Sequence, residues 1–485
     1  MTSDYEAVIG LEIHAQLLTA SKIFCGCSTA FGARPNTHVC PVCLGLPGAL
    51  PVLNRQAVDH GIRAALALNC QVQPRSIFAR KNYFYPDLPK GYQISQYERP
   101  LATGGHLEYP MGGVSRRIGI IRAHLEEDAG KSLHEGFPDS TSRTCVDFNR
   151  SGVPLLEIVT QPDLRSAAEA ADFFERLRAI LVAIGVNDGN MEEGSLRCDA
   201  NVSIRPVGEE GLGTKTELKN LNSFRFLERA LQYEIDRQTA LVGTGERVVH
   251  ETRLWDAAAG RTLAMRSKEE AHDYRYFPEP DLPPLDLSEE RIAHIGRSLP
   301  ELPEARKRRF VMQYELPEYD AGILTQSSAL SEYFEATAAL ARNPRSASNW
   351  ILGEVLRILK DTGADIADVR VDPARLADLI ALVDRGTISG SVAKDVFQKM
   401  YETGTTAEAI VAAEDLAQIS DETALLAAIR DVLAANPVPV AQYRAGRTKT
   451  FGFLVGQVMK ATRGQANPGL VNDLLKRELE GRQGR

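Results

Sequence analysis

The chain has 485 residues, 44% hydrophobic and 25% charged, a globular composition and more chain than one apolar core organises. A net charge of −8 excludes a uniformly basic nucleic-acid coat. No apolar run reaches the roughly eighteen residues of a membrane span, and Met1 to Glu6 lacks the basic and apolar regions of a signal peptide, so no membrane contact and a cytoplasmic location are expected.

The first organised stretch is Gly10-Leu11-Glu12-Ile13-His14-Ala15-Gln16-Leu17. As a strand it puts Leu11, Ile13, Ala15 and Leu17 on one face and Glu12, His14 and Gln16 on the other. Glu12 and His14 then stand side by side, about 6–7 Å apart at Cα. Alone, this is an amphipathic strand with a solvated polar face. It becomes a cation or phosphate site only if other strands bring carboxylates to it.

Four of the seven cysteines follow within a short span, Cys25, Cys27, Cys40 and Cys43, in the pattern C-x-C-x12-C-x-x-C. Two close pairs separated by a turn-rich loop suit one tetrahedral structural zinc, and four thiolates leave no open position for catalysis. The isolated Cys70, Cys145 and Cys198 are expected in the core. A helix is predicted over 55–69. Arg80 to Gln96 is dense in aromatics, amides and lysine, with Pro86, Pro89 and Gly91 forcing turns, as in a site-lining loop.

Ile120 to Asp128 reads as a strand ending in Glu126-Glu127-Asp128, and Val153 to Val159 as an apolar strand with a single carboxylate, Glu157. A carboxylate buried there needs a partner or a metal. A helix is predicted over 163–185. Arg197 to Ile204 alternates, with Asp199, Asn201 and Ser203 on one face, and 214–220 brings Lys215, Glu217 and Lys219 together before a helix that starts near Ser223. Neither Gly130-Lys131-Ser132, where Leu125 occupies the first glycine position, nor Gly208 to Gly213 completes a P-loop, and no dinucleotide fingerprint occurs. Any ATP is therefore bound outside a Walker fold.

Prolines between 278 and 303 mark a domain edge, after which helical patterns appear over 346–359, 374–385, 391–403, 449–463 and 468–479. From Arg444 to Arg485 there are nine Lys or Arg against three Asp or Glu, so a polyanion would be met at this end. The expected architecture is α+β: a β-rich cradle with flanking helices over 1–292, an all-helical domain over 293–405 and a helical tail over 406–485.

Gly10 to Leu17, Arg80 to Gln96, His124 to Lys131, Asp147 to Leu155, Glu193 to Ser203, Thr214 to Phe224, Arg266 to Pro280 and Phe451 to Pro468 together resemble the GatB family, one of the subunit types of the bacterial aspartyl/glutamyl-tRNA amidotransferases. The resemblance runs through nearly the whole chain. It implies ATP- and magnesium-dependent phosphorylation of Glu or Asp mischarged onto tRNA-Gln or tRNA-Asn, followed by amidation. Ammonia would come through a channel from a separate amidase (glutaminase) subunit, and a small third subunit would clamp the two.

It further implies a magnesium site at Glu12, His14 and Glu127, with Lys81 and Tyr83 near the mouth of the ammonia channel. Glu157, Asp199 and Glu217 are added from strand position. Strict alternation puts Glu127 on the face of Ala123 and Leu125 and Glu126 on the other, so a bulge or a strand end is needed to bring Glu127 to the site. Magnesium prefers oxygen, so His14 either ligates it or positions water or substrate. A buried Lys81 either changes charge state to move a proton or pairs with a carboxylate. Arg444, Arg447, Lys449, Lys460 and Arg463 are candidate tRNA phosphate contacts. The rival reading is a non-catalytic, zinc-containing tRNA-binding scaffold. No activated Ser or Cys nucleophile suggests a self-sufficient glutaminase.

Overall fold

A computed structural model of the chain describes residues 5–267, 273–418, 422–462 and 465–481. It divides into two compact units, Met1–Glu304 and Ala305–Arg485. The strands that matter in the first unit are, in chain order, β1 (Tyr5–Gln16), β2 (Gln71–Val72), β3 (Phe78–Asn82), β4 (Tyr92–Gln96), β5 (Ala102–Met111), β6 (Val114–Glu127), β7 (Pro154–Thr160), β8 (Leu196–Pro206), β9 (Thr216–Lys219), β10 (Glu251–Asp256), β11 (Arg261–Ser267) and β12 (Phe277–Pro278). Nine of them form one sheet in the order β11-β10-β9-β8-β1-β7-β6-β5-β2, and β12-β3-β4 form a smaller one. Among the described residues only β9 and β10 pair in parallel.

The helices α1 (Arg55–Ala67), α2 (Ala167–Ala183), α3 (Phe224–Gly243) and α4 (Glu289–Arg297) complete the unit. Ser166 and Ser223 accept backbone N–H groups at the starts of α2 and α3, which sets where these helices begin. The apolar faces of α1, α2 and α3 share one core with the odd-numbered residues of β1, through Val58, Phe173, Leu177, Leu227 and Ile13. The helices therefore cover one face of the sheet. Ile295 of α4 joins the same core, and Leu299 and Leu302 pack against it. The first compact unit consequently runs past the expected edge at 292, to Glu304.

The second unit is helical, from α5 (Pro303–Tyr314), α6 (Glu318–Leu324), α7 (Ser328–Ala341), α8 (Pro344–Trp350), α9 (Leu356–Thr362), α10 (Pro373–Asp384), α11 (Gly390–Thr403) and α12 (Ala407–Ala413) to α13 (Glu422–Ala435), α14 (Pro437–Arg444), α15 (Lys449–Ala461) and α16 (Pro468–Glu480). It has two apolar cores, one from Phe310 to Val411 and one from Leu425 to Leu479. The helix expected over 346–359 is interrupted by a widened turn at Ile351–Val355. Cys70 and Cys198 are buried, whereas Cys145 is exposed, contrary to the expectation for all three. It lies on a short strand, Cys145–Asp147, outside the large sheet. No single helix among the described residues is long and apolar enough to cross a membrane.

Candidate active site

β1 is central, hydrogen-bonded to β7 on one side and β8 on the other. Its alternation holds along its length: Leu11, Ile13 and Ala15 are in the core, and Glu12, His14 and Gln16 take the opposite face. The neighbours alternate in step. Antiparallel register places Arg197 opposite His14, His14 opposite Glu157, and Glu157 opposite His124. One row across four strands therefore reads Arg197, His14, Glu157, His124. The next row reads Asp199, Glu12, Val159, Arg122. In the first row Glu157 faces an imidazole on each side, a favourable cross-strand arrangement, whereas in the second Asp199 and Glu12 face each other as like charges.

These side chains floor a cleft of about 590 Å³ that the helices leave uncovered. Glu157 lies between two imidazoles, 3.4 Å from His14 Nε2 and 3.6 Å from His124 Nε2. Glu126 is 3.6 Å from His124 Nε2 and accepts a hydrogen bond from Ser95 at 3.0 Å. One donor atom each from His14, Glu126 and Glu157 lies within 4.8 Å of the other two. Two strands away, Lys219 bridges Asp199 at 2.5 Å and Glu217 at 3.2 Å. Thr252 donates to Glu217 at 2.8 Å, and Asn201 donates to Glu12 at 3.0 Å.

Burial sets the electrostatics. Desolvation raises the carboxyl of Glu12, reinforced by Glu157, Glu217 and Asp199. For Glu157 desolvation acts the same way, but His124, His14 and Lys81 overcome it and hold the carboxyl below its usual range. Burial alone would lower His14, yet the hydrogen bond and charge of Glu157 raise it. Three buried polar atoms of cleft-lining residues have no hydrogen-bond partner among the described residues, His124 Nδ1, Arg197 Nε and Asn201 Oδ1.

The wall over β6 and β7 comes from the smaller sheet and the segment that leads into its strand β12: Lys81, Tyr83, Tyr274 and Tyr276. Lys81 Nζ is 5.0 Å from the Tyr274 ring centroid and 5.9 Å from that of Tyr83. Desolvation would lower its pKa, but Glu126, Tyr276 and Glu157 raise it overall. The charges of the nearby carboxylates therefore favour the protonated form of Lys81. At the rim, Asp128 is locked by Arg197 at 3.0 Å and Gln16 at 2.7 Å.

Glu127 requires a correction. The β6–β7 register runs without interruption through Leu155–Glu126 and Pro154–Glu127, and its one irregularity is at Val159/Thr160. No bulge turns Glu127 toward the cleft. It points to the other side, where its carboxylate takes hydrogen bonds from Lys90 and from the Ile94 N–H at 2.8 Å. It lines a separate cavity of about 130 Å³ with Lys22 and Cys43. Glu126, on the face that strict alternation assigns to it, is the residue beside His14 and Glu157.

Cys25, Cys27, Cys40 and Cys43 come together, their sulfur atoms within 4.8 Å of one another. A tetrahedral zinc with bonds near 2.3 Å requires sulfurs about 3.8 Å apart, and Cys40 and Cys43 are at 3.9 Å. The thiol of Cys43 is lowered to about 4 by a hydrogen bond from Cys25 and by Lys22 nearby. In the tail, Arg444, Arg447, Lys449 and Lys460 lie on and around α14 and α15, and Arg463 lies outside the described residues.

Residues 7–293 match the family model described as GatB/GatE catalytic domain, and residues 332–479 match the GatB domain. A protein from Thermodesulfovibrio yellowstonii, named as the B subunit of aspartyl/glutamyl-tRNA(Asn/Gln) amidotransferase, is 58% identical over 98% of this chain and 99% of its own length. Proteins of the same name from Moorella thermoacetica and Geotalea uraniireducens are 58% and 54% identical over 98% of the chain and all of theirs. The chain belongs to the GatB family of tRNA amidotransferase subunits. The catalytic-domain match covers the strands of the large sheet, and hence the floor of the cleft. His124, Glu126, Tyr274 and Tyr276 are among the cleft residues that the sequence did not mark as site residues. His124 and Glu126 were signalled by strand parity, since both alternate with the buried Ala123 and Leu125. Tyr274 and Tyr276 gave no local signal, because pairing of Phe277 with Arg80 is what brings them to Lys81.

Proposed function

We propose that the cleft phosphorylates and then amidates the side-chain carboxylate of Glu or Asp mischarged on tRNA-Gln or tRNA-Asn. A carboxylate oxygen attacks the terminal phosphorus of ATP and ADP leaves. Ammonia then attacks the acyl carbon, phosphate departs and a proton is lost. The partners are an amidase (glutaminase) subunit that supplies ammonia and a small third subunit, in the cytoplasm. The observation that carries this reading is the Arg197–His14–Glu157–His124 row beside Glu126, within a cleft that also holds Lys81 and Lys219. Phosphoryl transfer demands that pairing of metal-binding carboxylates with fixed cations.

His14, Glu126 and Glu157 fit a magnesium site, two oxygen donors and one nitrogen within 4.8 Å of one another. When bound, the ion supplies charge neutralisation and alignment of the phosphates. The chain's own groups do the rest. Lys219 and Lys81, on opposite walls, offset phosphate charge. Lys81 and Tyr83 face the route by which ammonia would enter. Glu12, its carboxyl raised by burial, accepts the proton released on amide formation, and Asp199 and Glu217 orient Lys219. The four cysteines hold a structural zinc. Arg444, Arg447, Lys449, Lys460 and Arg463 contact tRNA phosphates, positioning without reading sequence.

The test is Glu157→Gln in the assembled enzyme. Amide formation on both charged tRNAs should fall by about 10²–10³-fold, with tRNA binding unchanged. Undiminished amidation would refute the assignment, and loss of tRNA binding alone would favour the scaffold reading.

A further inference from the structure

Tyr276 belongs to two surfaces. It lines the cleft, and it also lines a groove outside it of about 80 Å³, with Tyr97, Phe277, Pro278 and Arg99. Tyr97 and Tyr276 stack with centroids 4.0 Å apart and planes 4° from parallel. Tyr276 meets Tyr274 edge-on at 6.1 Å, and Tyr274 meets Tyr83 at 6.0 Å. Four tyrosines thus run without a break from the groove to the lysine in the cleft.

With one ring face covered by Tyr276, Tyr97 is still 45% exposed, as is Phe277. Flat aromatic surface open to solvent beside an arginine is what unpaired bases stack on, because every base offers a π-face. We propose that this groove receives the unpaired 3′-terminal base of the tRNA on the free face of Tyr97. The aminoacyl group at that same end then passes over Tyr276 into the cleft. The inference rests on the amidation reading above, which requires a polymer end to be seated at the cleft's rim while its amino acid is inside.

The adenine of ATP is the other base at hand, and the KM for ATP distinguishes the two. Glu98 also lines the groove, so it suits a base and not a triphosphate.

The experiment uses the assembled enzyme with Tyr97→Ala and Tyr97→Phe. Tyr97→Ala should raise KM for mischarged tRNA at least about fivefold, the lower end for one stacked base, and leave KM for ATP unchanged. Tyr97→Phe should behave as wild type. In direct binding, wild type should prefer full-length tRNA over tRNA lacking its last nucleotide, and Tyr97→Ala should lose that preference. A rise in KM for ATP instead, no change in either KM, or an intact preference in Tyr97→Ala would overturn the inference. These outcomes are separable from failure of the amidation reading, in which wild type itself forms no amide.

Discussion

Glu126 and Glu127 are adjacent, both buried, and serve opposite sides of one strand. On the cleft side the charges are arranged in rows but not saturated: His124 Nδ1, Arg197 Nε and Asn201 Oδ1 are buried without a hydrogen-bond partner among the described residues. On the cysteine side, Glu127 is matched to Lys90 and the Ile94 N–H. Buried polar atoms without partners are costly and rare, so where they gather they mark a place meant for something else to complete. A matched buried pair marks a place where removing one member leaves the other a costly, uncompensated charge. The comparison separates a cluster whose polar atoms are incompletely satisfied from a contact completed within the chain.

The difference is open to attack from the cysteine side first. Cys43→Ser should remove the zinc from the chain, as read by elemental analysis. It should destabilise by on the order of 5 kcal/mol, the upper range for single substitutions. Metal content equal to wild type would remove the zinc assignment.

Lys90→Met comes next. It strands Glu127, whose side chain is only 3% exposed, and should cost about 3–5 kcal/mol in denaturant unfolding. KM and kcat per folded molecule should stay near wild type. A selective loss of kcat at full stability would move Glu127 into the chemistry.

Asp128 gives the smallest effect and the clearest sign. Burial pushes its carboxyl up, but Arg197, Arg150 and Gln16 hold it below the ordinary value of 3.8. Its contribution is therefore present above about pH 5 and lost as pH falls through the lowered value. Asp128→Asn should be about 1–3 kcal/mol less stable at pH 7, and the gap should close on acidification. A gap that widens toward low pH would contradict the ion-pair account.

Much of the floor was legible because strand alternation is local. The apolar positions Leu11, Ile13 and Ala15 already fix where Glu12 and His14 go, and the same parity in 197–204 fixes Asp199. The cysteine spacing was equally local. Glu127 was misassigned when a family-level expectation was set above parity, and the uninterrupted β6–β7 register shows that parity was the better guide. What could not be read is long-range. Which strands neighbour β1, and hence that Glu157 stands between two histidines, depends on pairing between segments more than a hundred residues apart in sequence. Tyr274 and Tyr276 reach the cleft through a two-residue strand that no sequence period announces.

The most direct test sets the two glutamates against each other in the assembled enzyme, Glu126→Gln and Glu127→Gln, measured for both amidation and unfolding. Glu126→Gln should lose at least about 10²-fold in kcat with stability within about 1 kcal/mol of wild type. Glu127→Gln should lose stability, and its folded fraction should turn over. The reverse pattern, with Glu127→Gln stable and inactive and Glu126→Gln active, would contradict the account.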